Sequence, residues 1–546
     1  MISSSRSFRL LPFITMVILG LVLFFIFLYP LRINHDVAIY IEIGDFILEG
    51  KIPYVDYIEV NLPLIHYINV IPVFISRILI TNPIKVFLPL IFLLTILCIA
   101  SIHHSLRTLP PQEQVATWAI TFGIAIFTLI VFTLNDFGQR EHIFVLLYFP
   151  YFFIRWNRRE GVEVNTRVAI LVGISAGIGV LLKPHFVIIL AATELYWFVT
   201  KRDLKTMLNL ELITLSLVGI LYLLHFLVIP SSMRTALFGE HLPSILSGYS
   251  AYGYHRIPNL LGCISPIILI TLVFFLIRRW DRKYWALISP LLVFTISAIV
   301  VYIVQRKGWI YHAYPALFGG IILLSLLCVR RYQSQAQVEG ESNFSPMPKW
   351  TNRDQRMGLA LLIVIFLAVF VFGKSNEQYL GNAKIREIIE DNSNENDEVI
   401  FISTSVLPAS QILLQTERKH GYRYFVAHPI AFAFKDYSTV EEVIGDSPLM
   451  TEEVRVYLDR LEEDILKNQP PLIFVHTMRP CFACPSGFSL DLYLEAVGFF
   501  ESEPLMAYEI IEEIEEWIVY RLSKDLGELN LEYRWLANQS MVMLVE

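Results

Sequence analysis

Charged residues are scarce in this chain of 546 residues: they make up 17% of it, whereas hydrophobic residues make up 55%. The mean hydropathy of +0.55 implies more apolar surface than a soluble domain needs, which places the chain among polytopic membrane proteins. The sequence also lacks a basic face, because its Lys and Arg are scattered between apolar runs and the net charge is −7. A nucleic acid partner is therefore excluded.

Two further features are missing. No strand, glycine-rich loop and helix follow one another in the pattern that binds a soluble nucleotide sugar. The first apolar run, 10–31, has no small-residue cleavage pattern before Arg32 and is longer than the apolar core of a typical signal peptide. It therefore favours a retained signal anchor.

Apolar runs of about 17 to 25 residues predict about eleven transmembrane helices. They cover 10–31, 84–105, 114–134, 142–155, 168–182, 184–200, 207–230, 259–277, 284–304, 312–329 and 357–373. Basic residues at alternate ends predict a cytoplasmic N-terminus. The extracytoplasmic loops are then 31–83, 135–141, 183–185, 231–258, 305–311 and everything after 373. Within the first loop, 61–83 suits an interfacial helix better than a span.

The predicted fold class is an α-helical polytopic membrane protein with a C-terminal extracytoplasmic α/β domain. The predicted divisions are a transmembrane catalytic module at 1–331, a cytoplasmic linker at 332–356, a final transmembrane helix at 357–373 and the exported domain at 374–546. In the exported domain, 397–402 and 471–476 predict buried strands, and 450–468 predicts a helix.

The five cysteines divide by location. Three lie in or beside apolar runs and are small apolar fillers: Cys98, Cys263 and Cys328. Cys481 and Cys484 form a CxxC motif in the predicted exported domain, where an oxidising compartment favours a structural disulfide. A redox or metal role is the alternative, although only His476 lies close enough in sequence to add a ligand.

Four predicted extracytoplasmic loops carry ionisable residues, which are costly beside a membrane unless they are paired or functional. Each has a structural interpretation as well. The alternatives are a cap for a helix that starts at Val37 (Asp36), a salt-bridged helix start (Arg140 and Glu141), snorkelling to headgroups (Lys183) and contact with anionic lipid (Arg306 and Lys307). Because all four loops lie on one predicted face, we favour a shared site.

The chemistry of these side chains is complementary. Lys and Arg can hold a phosphate, and Arg can do so with two parallel hydrogen bonds. A nearby carboxylate can take the proton of an attacking hydroxyl. The loops therefore predict group transfer from a membrane-bound phosphate ester to an acceptor.

These loops, together with the predicted span that precedes Lys183, contain an ordered series of motifs. These are His35-Asp36 after the first span, Gly50 with Pro53-Tyr54-Val55-Asp56, Asn61-x-Pro63-Leu64, Gly173 and Gly177 with Lys183-Pro184, and Gln305-x-Lys307-Gly308-Trp309-x-Tyr311-His312. Across roughly residues 10–330, the series resembles the GT-C class of membrane glycosyltransferases. That class includes protein O-mannosyltransferases, aminoarabinose transferases acting on lipid A, and transferases acting on lipopolysaccharide core.

The resemblance implies an inverting transfer of a hexose or pentose from a polyprenyl-phosphate donor to a glycan or lipid in the cell envelope. Asp36 is the implied base, and Asp136 and Glu141 orient acceptor or base. The implied donor-phosphate residues are Lys183, His185, Arg306, Lys307 and His312, and the implied acceptor or loop residues are Tyr54, Asp56 and Arg140. No cofactor is implied with certainty; a divalent metal stays open through Asp36 with Asp136 or Glu141, although no ligand spacing demands one.

The resemblance also implies a location in the inner, or plasma, membrane with the C-terminal domain in the periplasm. Protein mannosyltransferases have two adjacent acidic residues in the first loop, whereas here His35 precedes Asp36 and Val37 follows it, which argues against a protein acceptor. A transporter or flippase of lipid-linked saccharides is the alternative function, but it would need polar residues through the depth of the bilayer and often inverted repeats. A non-enzymatic assembly protein would leave the clustered charges unexplained.

Overall fold

The structure is a computed structural model of the whole chain. It describes residues 30–106, 136–202, 208–250, 285–305, 307–323, 382–435, 450–477 and 488–523, together with Gly20, Thr121 and Leu326. The described residues form two compact units. The first unit takes in Met1–Glu49, Asn61–Arg234 and Tyr252–Leu380, and the second takes in Gly50–Val60, Thr235–Ala251 and Gly381–Glu546.

The described residues before position 324 are helical with short connections. The helices are α1 His35–Leu48, α2 Leu64–Leu79, α3 Pro83–Leu106, α4 Arg140–Arg159, α5 Thr166–Leu181, α6 Phe186–Lys201, α7 Leu210–Val228, α8 Ser231–Thr235, α9 Leu242–Ser250 and α10 Trp285–Gln305. A π-helical segment, Ala236–His241, joins α8 to α9, and a 3₁₀ turn, Ile310–Ala313, leads into a helix at 314–323.

Three described helices are long and apolar enough to cross a membrane: Pro83–Leu106, Leu210–Val228 and Leu287–Gln305. Helices α4, α5 and α6 overlap the predicted spans 142–155, 168–182 and 184–200. The predicted spans 10–31, 114–134, 259–277 and 357–373 lie outside the described residues or almost entirely so, as do the predicted linker and the CxxC motif. The chain is thus a membrane protein, whereas the number of eleven spans and the orientation of the termini stay predictions.

Close packing in the first unit depends on aromatic and small residues. Almost every side chain of α4 is buried, and Phe144, Tyr148 and Phe149 pack against rings from neighbouring helices. Helix α5 approaches α7 so closely that a Cβ at Gly173 would lie 2.5 Å from the carbonyl oxygen of Glu211. Small residues let helix backbones meet in this way within membranes.

Helix α2 occupies the segment predicted to be interfacial. It is one of the shorter apolar helices. One face packs against α1 and α3, and the other exposes Ile71, Phe74, Ile78 and Leu79. Arg77 at its end donates to the carboxylate of Asp45 at 2.7 Å. An amphipathic helix of this kind suits the membrane surface, and its interfacial position stays a prediction.

A buried ion-pair cluster joins α4, α6 and α7. Arg155 Nη2 lies 2.5 Å from Glu194 Oε2, and Arg158 Nε lies 2.8 Å from Glu211 Oε1. Arg155 Nη1 also lies 3.5 Å from Glu211, and Tyr151 donates to Glu194. Two arginines are thus matched by two glutamates.

The second unit contains a five-stranded sheet in the order β2-β1-β3-β5-β4. The strands are β1 Glu398–Ile402, β2 Lys419–His420, β3 Leu472–His476, β4 Tyr508–Ile514 and β5 Trp517–Leu522. The helices are α11 Ala383–Asn392, α12 Ala409–Gln415, α13 His428–Ala433, α14 Glu452–Asn468 and α15 Leu490–Ala496. Strands β1, β2 and β3 are parallel, whereas β4 and β5 are antiparallel to their neighbours. The predicted strands at 397–402 and 471–476 and the predicted helix at 450–468 correspond to β1, β3 and α14.

Apolar side chains cover both faces of this sheet. Helix α14 is capped by Thr451 and presents Val454, Leu458, Leu461 and Ile465 at helical spacing to one face. Helices α11 and α12 contribute to the core on the other face. Placement of this unit outside the membrane stays a prediction.

Two segments from the earlier part of the chain belong to the second unit. The backbone N–H of Ile58 donates to Arg423 at 2.6 Å. Lys435 donates to Ser247, and Tyr249 packs against Phe432. The second unit therefore includes parts of two predicted extracytoplasmic loops, in addition to the C-terminal region.

Candidate active site

The helix that carries Asp36 begins earlier than the sequence suggested. Asn34 is the N-cap of α1, and its Oδ1 accepts from the backbone N–H of Asp36 at 2.9 Å and of Val37 at 3.4 Å. Asn34 thus satisfies the free N–H groups at the helix start. The interpretation of Asp36 as the cap is wrong, because its carboxylate, 16% exposed, accepts a hydrogen bond from Gln139 instead.

An amide chain connects Asp36 with the second predicted loop. Gln139 Nε2 donates to Asp36 Oδ2 at 2.9 Å and to Asn34 Oδ1 at 2.6 Å. Asn34 Nδ2 then donates to Asp136 Oδ1 at 3.1 Å. Two carboxylates that are 100 positions apart in sequence are thereby joined through two amides.

Lys183 brings the third loop to the same place. Its Nζ donates to Glu141 Oε1 and, at 3.2 Å, to Gln305 Oε1. His312 Nε2 lies 3.6 Å from the same oxygen of Glu141. Because the Lys183 side chain is only 7% exposed and is paired, the snorkelling interpretation is wrong.

Arg140 is held by the first loop rather than by its neighbour Glu141. It donates to Asn61 Oδ1 and lies over the ring of Tyr40, with 5.6 Å between guanidinium carbon and ring centroid. Asn61 in turn donates to the Tyr40 hydroxyl at 3.2 Å. The salt-bridged helix start predicted for Arg140 and Glu141 is therefore replaced by two separate sets of partners.

The last predicted loop adds a layer of rings. Lys307 Nζ lies 5.0 Å from the ring of Trp309, and Lys183 Nζ lies 5.6 Å from the ring of Tyr311. Tyr311 also packs against the ring of His312 at 4.4 Å. Cations over aromatic faces are attracted by the ring quadrupole. Arg306 lies outside the described residues.

The two aspartates differ in charge. Burial alone would raise the pKa of Asp36, but His35, Arg140, the Gln139 hydrogen bond and Lys183 outweigh it, so the pKa is lowered. Burial, followed by repulsion from Glu141 and Asp36, raises the pKa of Asp136 to about 7. At neutral pH, Asp36 is therefore ionised, whereas Asp136 titrates close to neutrality.

The two lysines are poised to change charge. Burial, with repulsion from Lys183 and Arg140, lowers the pKa of Lys307 to about 7. Burial lowers the pKa of Lys183 to about 8, although Glu141 opposes the shift. Burial lowers the pKa of half-buried His185, and the positive charges of Lys183, Lys307 and Arg140 lower it further. A bound anion would stabilise the charged forms of both lysines.

Several buried polar atoms of the site have no hydrogen-bond partner among the residues that the structure describes. They are Gln139 Oε1, Arg140 Nε, Glu141 Oε2 and both ring nitrogens of His312. Buried polar atoms in native proteins nearly always have partners, so these atoms are available to a ligand. Over the described part of the chain, no group of three or more His, Cys, Asp or Glu is arranged to hold a metal ion.

Tyr54 and Asp56, two of the three predicted acceptor or loop residues, lie in the second unit. Asp56 Oδ2 accepts from the backbone N–H of Ile52 at 2.6 Å and so closes a turn. Tyr54 is buried at a positive φ of 65°, and its carbonyl accepts from His241 at 3.0 Å. The structure gives both residues local roles in that unit.

The sequence assigned no role to Asn34, Gln139, Tyr40 or Tyr311. Each is uncharged, so none stands out by the cost of a charge beside the membrane. The available signal was position: Asn34 and Gln139 lie within three residues of Asp36 and Asp136, respectively.

Similarity to known proteins is structural. No family sequence model matches the chain, and no curated protein matches it in sequence. The crystal structure of ArnT from Cupriavidus metallidurans bound to undecaprenyl phosphate is similar at a TM-score of 0.52 and 12% identity, covering 96% of this chain and 99% of that one. The apo crystal structure of the same protein is similar at a TM-score of 0.51 and 12% identity, with 92% and 97% covered. The chain therefore has a GT-C-like fold, which it shares with ArnT.

Proposed function

We propose that this chain is an integral membrane glycosyltransferase that moves a hexose or pentose from a polyprenyl-phosphate donor to an extracytoplasmic glycan or lipid. The observation that carries the proposal is the meeting of an ionised carboxylate, Asp36, with three cations, Arg140, Lys183 and Lys307, in one buried cluster. A solved structure of similar fold has undecaprenyl phosphate bound, which supports a polyprenyl-phosphate donor.

In the proposed reaction, Asp36 takes the proton of an acceptor hydroxyl as its oxygen attacks the anomeric carbon of the donor sugar. The bond between that carbon and the phosphate oxygen breaks, and its electron pair stays on the phosphate. The products are the glycosylated acceptor, polyprenyl phosphate with one more negative charge, and protonated Asp36. Attack opposite to the leaving group inverts the anomeric configuration.

The cations would hold the donor phosphate and stabilise the charge that develops on it. Arg140 offers a planar fork for two phosphate oxygens, and the partnerless Arg140 Nε is consistent with such a contact. Glu141 would orient Lys183, to which it is paired. His185 and His312 would contribute ring N–H groups, and Asp136 would orient acceptor or base.

The decisive variant is Asp36→Asn, tested in proteoliposomes supplied with polyprenyl-phosphate sugars and acceptor lipids extracted from host membranes. Removing the base should lower transfer by about 10²- to 10⁴-fold with unchanged thermal stability in detergent. Asp45→Asn is the matched control, because Asp45 lies on the same helix but its partner is Arg77. Release of polyprenyl phosphate is the readout.

Full transfer by folded Asp36→Asn protein would refute the role of Asp36. Movement of labelled lipid-linked saccharide across the vesicle membrane, without release of polyprenyl phosphate, would refute the transferase and support a flippase.

A further inference from the structure

Gln139 occupies a helix start that it does not cap. It is the N-cap residue of α4, and its side chain makes no capping hydrogen bond. Ser, Thr, Asp and Asn are the residues that favour this position. The Gln139 side chain is fully buried, so its amide must form hydrogen bonds with groups other than the start of α4.

The amide nitrogen of Gln139 donates two hydrogen bonds, one to Asp36 Oδ2 at 2.9 Å and one to Asn34 Oδ1 at 2.6 Å. Asn34 is itself fixed, because the same oxygen caps α1 and its Nδ2 donates to Asp136. The position of the Gln139 amide beside Asp36 is therefore set by Asn34, which its contacts with the start of α1 and with Asp136 hold in place.

Several charged groups surround Asp36, so the orientation of its carboxylate decides which of them it contacts. The titratable groups around Asp36 are, on the basic side, the His35 ring on its own helix, Arg140 on α4, Lys183 before α6 and Lys307 after α10. On the acidic side they are Asp136 and Glu141, and Tyr311 also lies close. A carboxylate free to rotate could turn to any of these cations. Gln139 holds Oδ2, which leaves Oδ1, whose neighbour His35 Nε2 is 3.5 Å away.

We propose that Gln139 is a positioning residue for the transfer: its amide fixes Oδ2 of Asp36, so that Oδ1 is the oxygen that takes the acceptor proton. The inference rests on the proposed function. Asn34 supports it by holding Gln139 and by linking it to Asp136.

A positioning role has a signature in the pH profile. The Gln139 hydrogen bond favours the ionised form of Asp36 and is among the causes that lower its pKa. Without this bond the pKa rises, so Asp36 stays protonated to a higher pH. The acid limb of kcat should then move upward by about one pH unit, since a hydrogen bond to a charged group is of that size.

Two variants test the proposal in the full-length protein. Gln139→Met removes the amide at similar volume, and Gln139→Glu keeps the shape but replaces the donor by an acceptor beside Asp36. Both should shift the acid limb of kcat upward, Glu by at least as much as Met. Asp36, with its lowered pKa, stays ionised at pH 6 even after a shift of about one unit, so the loss of kcat expected there, about tenfold with donor KM within about twofold, reports the lost orientation of the carboxylate. Gln411→Met, which removes a buried amide in the second unit, is the control and should leave the profile unchanged.

Wild-type pH profiles in the folded variants would overturn the proposal. Met and Glu have a shape similar to that of Gln, so such profiles would mean that Gln139 serves only in packing. A loss expressed in KM alone would overturn it as well. If Gln139→Met does not fold, the profile of Gln139→Glu decides. A wild-type protein that transfers no sugar refutes the proposed function instead, so the two failures are distinguishable.

Discussion

Helix α4 runs between two clusters of charged residues that differ in how completely they are paired. At its C-terminal end, Arg155 and Arg158 meet Glu194 and Glu211, and each carboxylate has an arginine partner. At its N-terminal end, the site contains atoms that have no hydrogen-bond partner in the described part of the chain, such as Arg140 Nε and Glu141 Oε2. One helix thus carries a satisfied ion-pair cluster and an incompletely satisfied one.

How completely a cluster is paired distinguishes a structural cluster from a functional one better than the presence of charged residues does. Buried ion pairs repay the loss of hydration only when their remaining hydrogen-bonding atoms are also satisfied. The Arg155 cluster meets this condition and holds three helices together. The Asp36 cluster leaves donors and acceptors without partners and shifts the pKa values of its members, which is typical of a site that awaits a ligand.

The largest predicted effect concerns the paired cluster. Glu194→Gln takes from the buried Arg155 guanidinium the carboxylate that lies 2.5 Å away, whereas the carboxylate of Glu211 is 3.5 Å away. Loss of one partner from a buried pair costs about 3–5 kcal/mol, measured as a lower midpoint of denaturation in detergent. Transfer per folded molecule should be unchanged.

The matched control for this experiment is Glu160→Gln. Glu160 is 41% exposed and lies 4.0 Å from Arg159, so its removal should cost no more than about 1 kcal/mol. Equal destabilisation by the two variants would break the distinction between the clusters.

Part of the site was predictable from sequence because charge is conspicuous beside a membrane. Asp36, Asp136, Glu141, Lys183 and Lys307 were all found in this way, and the structure brings them together. The amides that connect them were not, because Asn and Gln carry no charge and because the contact between Gln139 and Asp36 spans 103 positions. Which amide meets which carboxylate is decided by helix packing.

The fold shows the same limit. Hydrophobic periodicity predicted β1, β3 and α14, since each is decided by neighbours in sequence. It did not predict that Gly50–Val60 belongs with the C-terminal region. That grouping depends on backbone contacts such as Ile58 to Arg423, which leave no periodic pattern in the sequence.

A smaller predicted effect concerns the pH dependence of the incompletely paired cluster. Lys307 must be protonated to bind a phosphate, and its pKa of about 7 means that the charge is lost as pH rises. Because kcat/KM reports the free enzyme, it should fall above pH 7 by up to about tenfold per pH unit. Lys307→Arg should flatten this fall, since Arg stays protonated.

An alkaline fall that is identical in Lys307→Arg would assign the titration to another group. Asp136 titrates in the same range and is then the group to test.

The smallest predicted effect is that of Asp136→Asn. Below pH 7 the Asp136 carboxyl holds a proton, so Asn reproduces both its shape and its lack of charge. Transfer at pH 6 should stay within about threefold of wild type, whereas Asp36→Asn, at a carboxylate that must be ionised, should lose about 10²-fold or more. Above pH 8 the wild-type site gains a second negative charge near Asp36, and the variant does not, so the variant should retain more of its pH 6 activity there. Equal loss of transfer in the two variants at pH 6 would mean that both aspartates work as carboxylates, and that the difference in charge state between them does not matter for the reaction.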